Sequence, residues 1–267
     1  MPASALMNVM IGAARKAGRS LARDFGEVEQ LQVSIKGPGN FVSAADHKAE
    51  EIIYRELSKA RPGYSFLMEE RGEVVGDDKS HRWIVDPLDG TTNFLHGVPL
   101  FAVSIGLERE GQIVAGLVYN PISDELFAAE KGKGAYLNDR RRLRVAVRKQ
   151  LSDTLVTTGI PHLGRPGHVA FNREIKEIIK HVAGVRRTGS AALDLAWVAA
   201  GRFDAYWERG IKPWDMAAGI VLVREAGGAV TDLKGGADML ERDEVLATNS
   251  TLQKDFLPLL ALERAGA

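Results

Sequence analysis

Trp83-Ile84-Val85-Asp86-Pro87-Leu88-Asp89-Gly90-Thr91-Thr92-Asn93 is the stretch on which the reading of this chain turns. Its apolar opening has the composition of a buried strand. That strand delivers two carboxylates, Asp86 and Asp89, into a turn built around Pro87 and Gly90. Two acids so close repel each other, and one pKa rises unless a cation holds both ionised. A hard divalent cation does this, and an all-oxygen donor set suits Mg²⁺ better than zinc. Pro87 fixes φ and removes a backbone donor, which frees the chain to turn a carbonyl such as that of Leu88 toward the metal. Gly90 lets backbone N–H groups approach an anion closely. Thr91 and Thr92 add hydroxyls where a helix could start, a place that phosphate favours. Taken alone, D-x-x-D-G-T is equally an Asx-type turn with a helix N-cap.

Upstream, residues 64–68 read as a short strand running into Glu69-Glu70. Adjacent carboxylates at a strand end point to opposite faces, so one of the two can face a site; alone, the pair is a solvated charge at a loop. Residues 71–81 are polar and Gly-bearing and read as that loop. A helix fits 43–60, ended by Arg61-Pro62-Gly63, and Lys36-Gly37-Pro38-Gly39-Asn40 is a breaker cluster that reads as a loop. Downstream, 101–107 and 112–119 form a hairpin that a strand at 125–129 continues as a meander. The second half predicts strands at 155–158, 203–207 and 229–231, with helices at 169–181, 190–200 and 215–225, the last stopped by Gly227-Gly228. Trp214-Asp215 places an acid at a helix N-terminus, where Asp is ordinarily a cap or a dipole partner. The pattern predicts layers of sheet and helix in one domain over 1–267, an α+β half (1–150) joined to an α/β half (151–267).

Composition narrows the function classes. The 267 residues are 45% hydrophobic, enough for a substantial core. Thirty-five basic residues balance 35 acidic ones, which argues against strong direct binding to nucleic acid or to an anionic membrane. With no cysteine, thiolate chemistry and disulfides are excluded. Met7, Met10, Ile11, Ala14, Leu21 and Phe25 recur at helical spacing among Arg and Lys, an amphipathic helix and not a signal peptide. No apolar run is long enough to span a bilayer, so a soluble, cytoplasmic protein is expected.

Glu69-Glu70, then Asp86-Pro87-Leu88-Asp89-Gly90-Thr91-Thr92-Asn93, then Trp214-Asp215-Met216-Ala217-Ala218-Gly219 together resemble the inositol monophosphatase family of lithium-sensitive, metal-dependent phosphatases, which are related to fructose-1,6-bisphosphatase. The segment Arg186-Arg187-Thr188-Gly189-Ser190-Ala191-Ala192-Leu193-Asp194-Leu195-Ala196 looks like the bacterial extragenic-suppressor branch. The resemblance covers nearly the whole chain and implies a five-layer α-β-α-β-α sandwich and a homodimer. It implies that Glu69, Asp86 and the Leu88 carbonyl hold one Mg²⁺ and that Asp86, Asp89 and Asp215 hold a second. A weaker third ion near Glu69 occurs in some relatives, and Li⁺ inhibits. Glu69 and Thr91 would orient the attacking water, and the Gly90 and Thr91 N–H groups would hold phosphate. Asp89, the Gly189-Ser190-Ala191 turn and Glu208 would take the polyol hydroxyls, with Asp215 beside them; Asp46 corresponds to a further acid near the metals. Lys36 would sit on a mobile flap.

Ser43 replaces a frequent family Thr, and Arg71 stands where Ser often follows the Glu pair; Arg71 is expected to alter the electrostatics of the site mouth. The six histidines show no ligand spacing, and Arg140, Arg141, Arg142 and Arg144 read as a solvated face. The expected activity is Mg²⁺-dependent hydrolysis of inositol monophosphate by an activated water. Alternatives are the same chemistry on histidinol phosphate, fructose 1,6-bisphosphate or a nucleotide 3′-phosphate. A role with a transcription-machinery partner in antitermination is the alternative of a different class.

Overall fold

Ser4 starts the first helix, its Oγ accepting the Met7 N–H at 3.1 Å, and the buried residues Met7, Met10, Ala14, Ala17 and Leu21 form one stripe along it. The computed structural model describes residues 4–27, 33–37 and 40–261, without the side chains of 33–37 and 40–42. Along the chain, α1 (Ala5–Phe25), β1 (Val33–Gly37), β2 (Asn40–Ser43) and α2 (Ala44–Ala60) come first. They lead into β3 (Tyr64–Met68), β4 (Gly72–Val74), β5 (Asp78–Asp89) and the short α3 (Thr91–Leu95). The meander β6 (Ala102–Arg109), β7 (Gln112–Asn120), β8 (Glu125–Glu130), β9 (Gly134–Leu137) and β10 (Arg141–Arg142) follows. The second half runs β11 (Leu155–Thr158), α4 (His168–Ile178), β12 (Gly184–Arg186), α5 (Ala191–Ala199), β13 (Ala205–Arg209) and α6 (Pro213–Glu225). It ends with β14 (Gly228–Thr231), α7 (Met239–Arg242), β15 (Glu244–Asn249) and α8 (Gln253–Leu260).

Eight strands form one sheet in the order β10-β9-β8-β7-β6-β5-β3-β4, antiparallel except where β3 runs parallel to β5. Five form another, β12-β11-β13-β15-β14, parallel around β11 and antiparallel around β15. The period-2 alternation of strand side chains sorts the core into three slabs. α1 and α2 bury Met10, Leu21, Ile53 and Leu57 against Trp83, Val85, Ile105 and Leu117 of the large sheet. Its other face, with Val118, Phe127 and Ala129, meets α5 and α6, which also cover Tyr206, Val245 and Ala247 of the small sheet. The outward neighbours Ala205, Trp207 and Leu246 pack with Ile178 of α4 and with Phe256 and Leu260 of α8. The order is therefore α-β-α-β-α, the expected five-layer sandwich. Residues 216–223 of α6 are buried without a break, as a helix between two sheets must be.

Several boundaries differ from the sequence expectation. Residues 71–81 are not one loop: β4 pairs with β3 as a three-residue edge, and β5 begins at Asp78. Polar residues of partial burial start β5, so hydrophobicity alone could not reveal its first turns of register. β9, β10, β12, β15, α7 and α8 also went unread. β1 reaches Gly37 and β2 starts at Asn40, so Lys36, Gly37 and Asn40 of the expected 36–40 loop are strand residues, and Pro38 and Gly39 fall between the strands. Those two residues and the Lys36 side chain, on which the flap expectation rests, lie outside the described residues. Among the described residues no helix is long and apolar enough to cross a membrane.

Candidate active site

The decisive stretch bends because β5 carries an extra residue. Asp86 pairs with Ser104 of β6 and Asp89 with Ala102, so three steps on one strand meet two on the other. This is a bulge, and Pro87, having no N–H to offer the ladder, sits in it at no loss. Asp86 Oδ1 accepts the Leu88 N–H at 2.8 Å, which pins the turn. Gly90 follows with φ 95°, and a Cβ there would lie 2.9 Å from the Leu100 carbonyl oxygen, so the position needs glycine on two counts. Thr91 then opens α3. Its Oγ1 lies 3.1 Å from both Asp46 Oδ1 and the Leu88 carbonyl oxygen. The other Asp46 oxygen accepts the Ser43 N–H and Oγ–H in a capping box at the start of α2.

Two helix N-termini complete the floor. Asp89 Oδ2 accepts the Ser190 Oγ–H at 2.5 Å and the Ala192 N–H at 2.7 Å, placing its charge at the positive end of α5. Asp215 lies in the first turn of α6, where it accepts the Lys212 N–H at 2.7 Å. Ser104 ties that helix start to β6 through the Trp214 carbonyl. Asp86, Asp89 and Asp215 each offer an oxygen within 4.8 Å of the others, a group that could hold a metal ion. Burial, with the negative charges of Glu69, Asp89 and Asp215 added, pushes Asp86 well above the usual carboxylate range. Burial raises Asp89 to about 7 against the opposing pull of its Ser190 bond, and burial with Asp89 nearby raises Asp215 to about 7. Three such acids could all be ionised at neutral pH only beside a cation, and an oxygen-only set fits a hard divalent one. Glu69, at the end of β3, lines the same cavity. The turn after it is held by the buried Glu50, which accepts the N–H groups of Glu70 and Arg71 at 2.9 and 3.3 Å.

The far wall comes from the small sheet. Glu208 of β13 accepts the Tyr206 hydroxyl at 2.6 Å, and burial pushes it to about 7, with Arg165 and Arg187 pulling the other way. A Cβ on Gly159 would fall 1.9 Å from the Glu208 carboxyl carbon, so glycine is what leaves that side chain its place. Asn93 donates to the Leu100 and Thr188 carbonyls at 2.7 and 2.8 Å, stitching the β5 turn to the Thr188-Gly189-Ser190 turn. Between these walls lies a cavity of about 150 Å³.

The family model for the inositol monophosphatase family matches residues 3–264. The chain belongs to the inositol monophosphatase family. It is 65% identical over 257 residues to the inositol-1-monophosphatase of Mesorhizobium japonicum, covering 96% of each. It is 41% identical over 252 residues to the Nus factor SuhB of Escherichia coli, covering 94% of each. The crystal structure of extragenic suppressor protein suhB from Bartonella henselae superposes with a TM-score of 0.94 at 58% identity, covering 97% of this chain and all of that one. Membership of the inositol monophosphatase family makes the chain a phosphoric monoester hydrolase.

Eleven residues that the resemblance assigns to metal, water, phosphate or polyol border one cavity: Glu69, Asp86, Leu88, Asp89, Gly90, Thr91, Gly189, Ser190, Ala191, Glu208 and Asp215. Asp46 stands behind Thr91. Arg71 does not line the cavity: its guanidinium reaches Glu51 at 2.5 Å and lies over the Tyr54 ring. His162, set aside for want of ligand spacing, does line it, with Arg165 and Arg187. Gly159, Asp194 and Glu50 were missed. Glu50 sits in a helix stripe and Asp194 among apolar helix residues, and a charge at an apolar register was the signal available.

Proposed function

We propose that the chain hydrolyses inositol monophosphate to inositol and phosphate in a Mg²⁺-dependent reaction. The observation that carries this is the meeting of the Asp86, Asp89 and Asp215 oxygens on the wall of a cavity whose opposite side offers Ser190, Ala191 and Glu208. Glu69, Asp86 and the Leu88 carbonyl would hold one cation, and Asp86, Asp89 and Asp215 a second. When bound, such cations lower the pKa of water and offset the charge that develops on attacking and leaving oxygens.

The protein groups do the rest. Thr91 donates its hydroxyl hydrogen toward Asp46, which leaves its oxygen lone pairs able to accept from a water in the cavity. A proton leaving that water can pass to Thr91 while Thr91 passes its own to Asp46, and Glu69 fixes the water from the other side. The Gly90 turn presents N–H groups to the phosphate. Glu208 and Asp89 accept from ring hydroxyls, since a carboxylate can accept from two vicinal ones. The exposed Arg140, Arg141, Arg142 and Arg144 do not line this cavity.

Phosphate release from inositol 1-phosphate, measured with and without Mg²⁺ and with Li⁺ added, tests the reading beside Asp86→Asn. Activity that requires Mg²⁺, falls with Li⁺ and drops by about 10²–10³-fold in the variant is expected, the size usual for losing a main electrostatic element. A folded chain inert on this ester but active on histidinol phosphate, fructose 1,6-bisphosphate or a nucleotide 3′-phosphate would replace the substrate and keep the site.

A further inference from the structure

Asp194 is 1% exposed on α5, a place where a carboxylate needs partners. One of its oxygens is fully engaged: Oδ1 accepts the Thr188 and Thr157 hydroxyls at 2.8 and 2.9 Å. Oδ2 accepts no hydrogen bond among the described residues, yet it is not one of the side-chain atoms sealed from solvent without a partner. The little surface that Asp194 keeps opens into the wall of the active-site cavity. Burial raises the group well above the ordinary carboxylate range, against the pull of its Thr188 and Thr157 bonds and with the charges of Glu208 and Asp89 adding to the rise.

A helical side chain leans toward the helix N-terminus, so Asp194 leans over Ala191, three residues earlier and also on the cavity wall. The Ala191 N–H opens α5 and has no acceptor within the helix. A donor and an acceptor thus border the same cavity. A hydroxyl takes both: its oxygen accepts from Ala191 and its hydrogen goes to Asp194.

We propose that Asp194 is a specificity-determining residue, its Oδ2 accepting a hydrogen bond from a ring hydroxyl of the polyol phosphate. The inference rests on the polyol reading above and adds a contact to it. A site that hydrogen-bonds a substrate hydroxyl discriminates strongly against an ester lacking it, because the buried acceptor is then left unpaired.

Asp194→Asn is the test. Asn keeps an oxygen for the two threonines and replaces Oδ2 with an amide that faces the hydroxyl with a second donor. Against inositol 1-phosphate, kcat/KM should fall by about tenfold or more, mostly through KM, the size expected when a buried hydrogen bond is lost and its partner left unpaired. Against glycerol 2-phosphate, which has no ring to reach the wall, it should stay within about twofold of the parent. An equal fall on both esters, or none on either, overturns the proposal. If the variant does not fold, a structure of the parent protein with inositol 1-phosphate and Ca²⁺ decides: a ring hydroxyl within about 3.2 Å of Asp194 sustains it, and its absence overturns it. A parent enzyme active on glycerol 2-phosphate but inert on inositol 1-phosphate would instead overturn the polyol reading, and this contact with it.

Discussion

At the scale of single residues, the site is a set of acids whose charges are managed by neighbouring donors. Asp89 shows the balance most plainly, since burial raises it while the Ser190 hydroxyl and the Ala192 N–H pull it down, leaving it at about 7. Ser190→Ala removes one of these donors and also the N-cap of α5. With that donor gone, the Asp89 pKa moves further up, so protons compete harder with any cation. The acidic limb of the kcat/KM–pH profile should therefore move to higher pH, and more Mg²⁺ should be needed for half-maximal rate. Loss of the cap adds about 1 kcal/mol of destabilisation. An unmoved limb with an unchanged Mg²⁺ requirement would mean that Ser190 does not tune the site. Residues of this kind were legible when a short motif carried them: Asp86, Asp89 and Asp215 sit in turns and helix starts, where acids have local meaning. Asp194 and Gly159 were not, because their significance lies in what they face across the fold, Thr157 and Glu208, and not in their sequence neighbours.

At the scale of elements, the clustered acids are brought together by how closely α5 and α6 lie. Asp89 is bound at the start of α5 and Asp215 stands at the start of α6, so the distance between these helices sets the spacing of the acids. Gly219 makes the approach possible: a Cβ there would lie 2.4 Å from the Leu195 Cβ, an atom that no rotamer change can move away. Gly116 does the same between α6 and the large sheet, where a Cβ would meet the Ala218 carbonyl oxygen at 2.5 Å. Gly219→Ala should therefore cost about 1–3 kcal/mol through overpacking, despite the better helix propensity of Ala. It should also lower kcat at saturating Mg²⁺, since misplacing a catalytic group by about 1 Å can cost 10²-fold. Thermal unfolding and steady-state kinetics would check both, and a stabilised, fully active variant would show that the helices have room to spare. These two helices were readable from their apolar runs and, for α6, from the Gly227-Gly228 stop. The unread strands were those whose burial is decided by the sheet: β15, buried along its whole length, lacks alternation, and β4 and β10 are short edges that exist because a neighbour pairs with them.

At the scale of the whole molecule, two sheets and the helices between them close around a pocket of negative charge, and the fold bears that strain. Without a cation, Asp89, Asp215 and Glu208 stand at about 7, whereas in an unfolded chain such acids titrate near 4. Between roughly pH 4 and 7 the folded chain therefore binds more protons than the unfolded one. Stability from these acids is fully present below that window and is lost as pH rises through it. The metal-free protein should accordingly have a lower Tm at pH 7.5 than at pH 5.5, and Asp215→Asn, which removes one of the buried charges, should flatten the decline. A cation that binds the ionised carboxylates acts in the opposite sense. Mg²⁺ at about 100 times its dissociation constant contributes about 2.7 kcal/mol, or roughly 5–10 °C in a chain of this size. That gain should be much larger at pH 7.5 than at pH 5.5, where protons hold the ligands. Differential scanning of chelated and Mg²⁺-loaded protein at the two pH values measures both slopes at once. A Mg²⁺ gain independent of pH would place the ion away from Asp86, Asp89 and Asp215, because ligands that must shed protons to bind cannot give a pH-independent affinity.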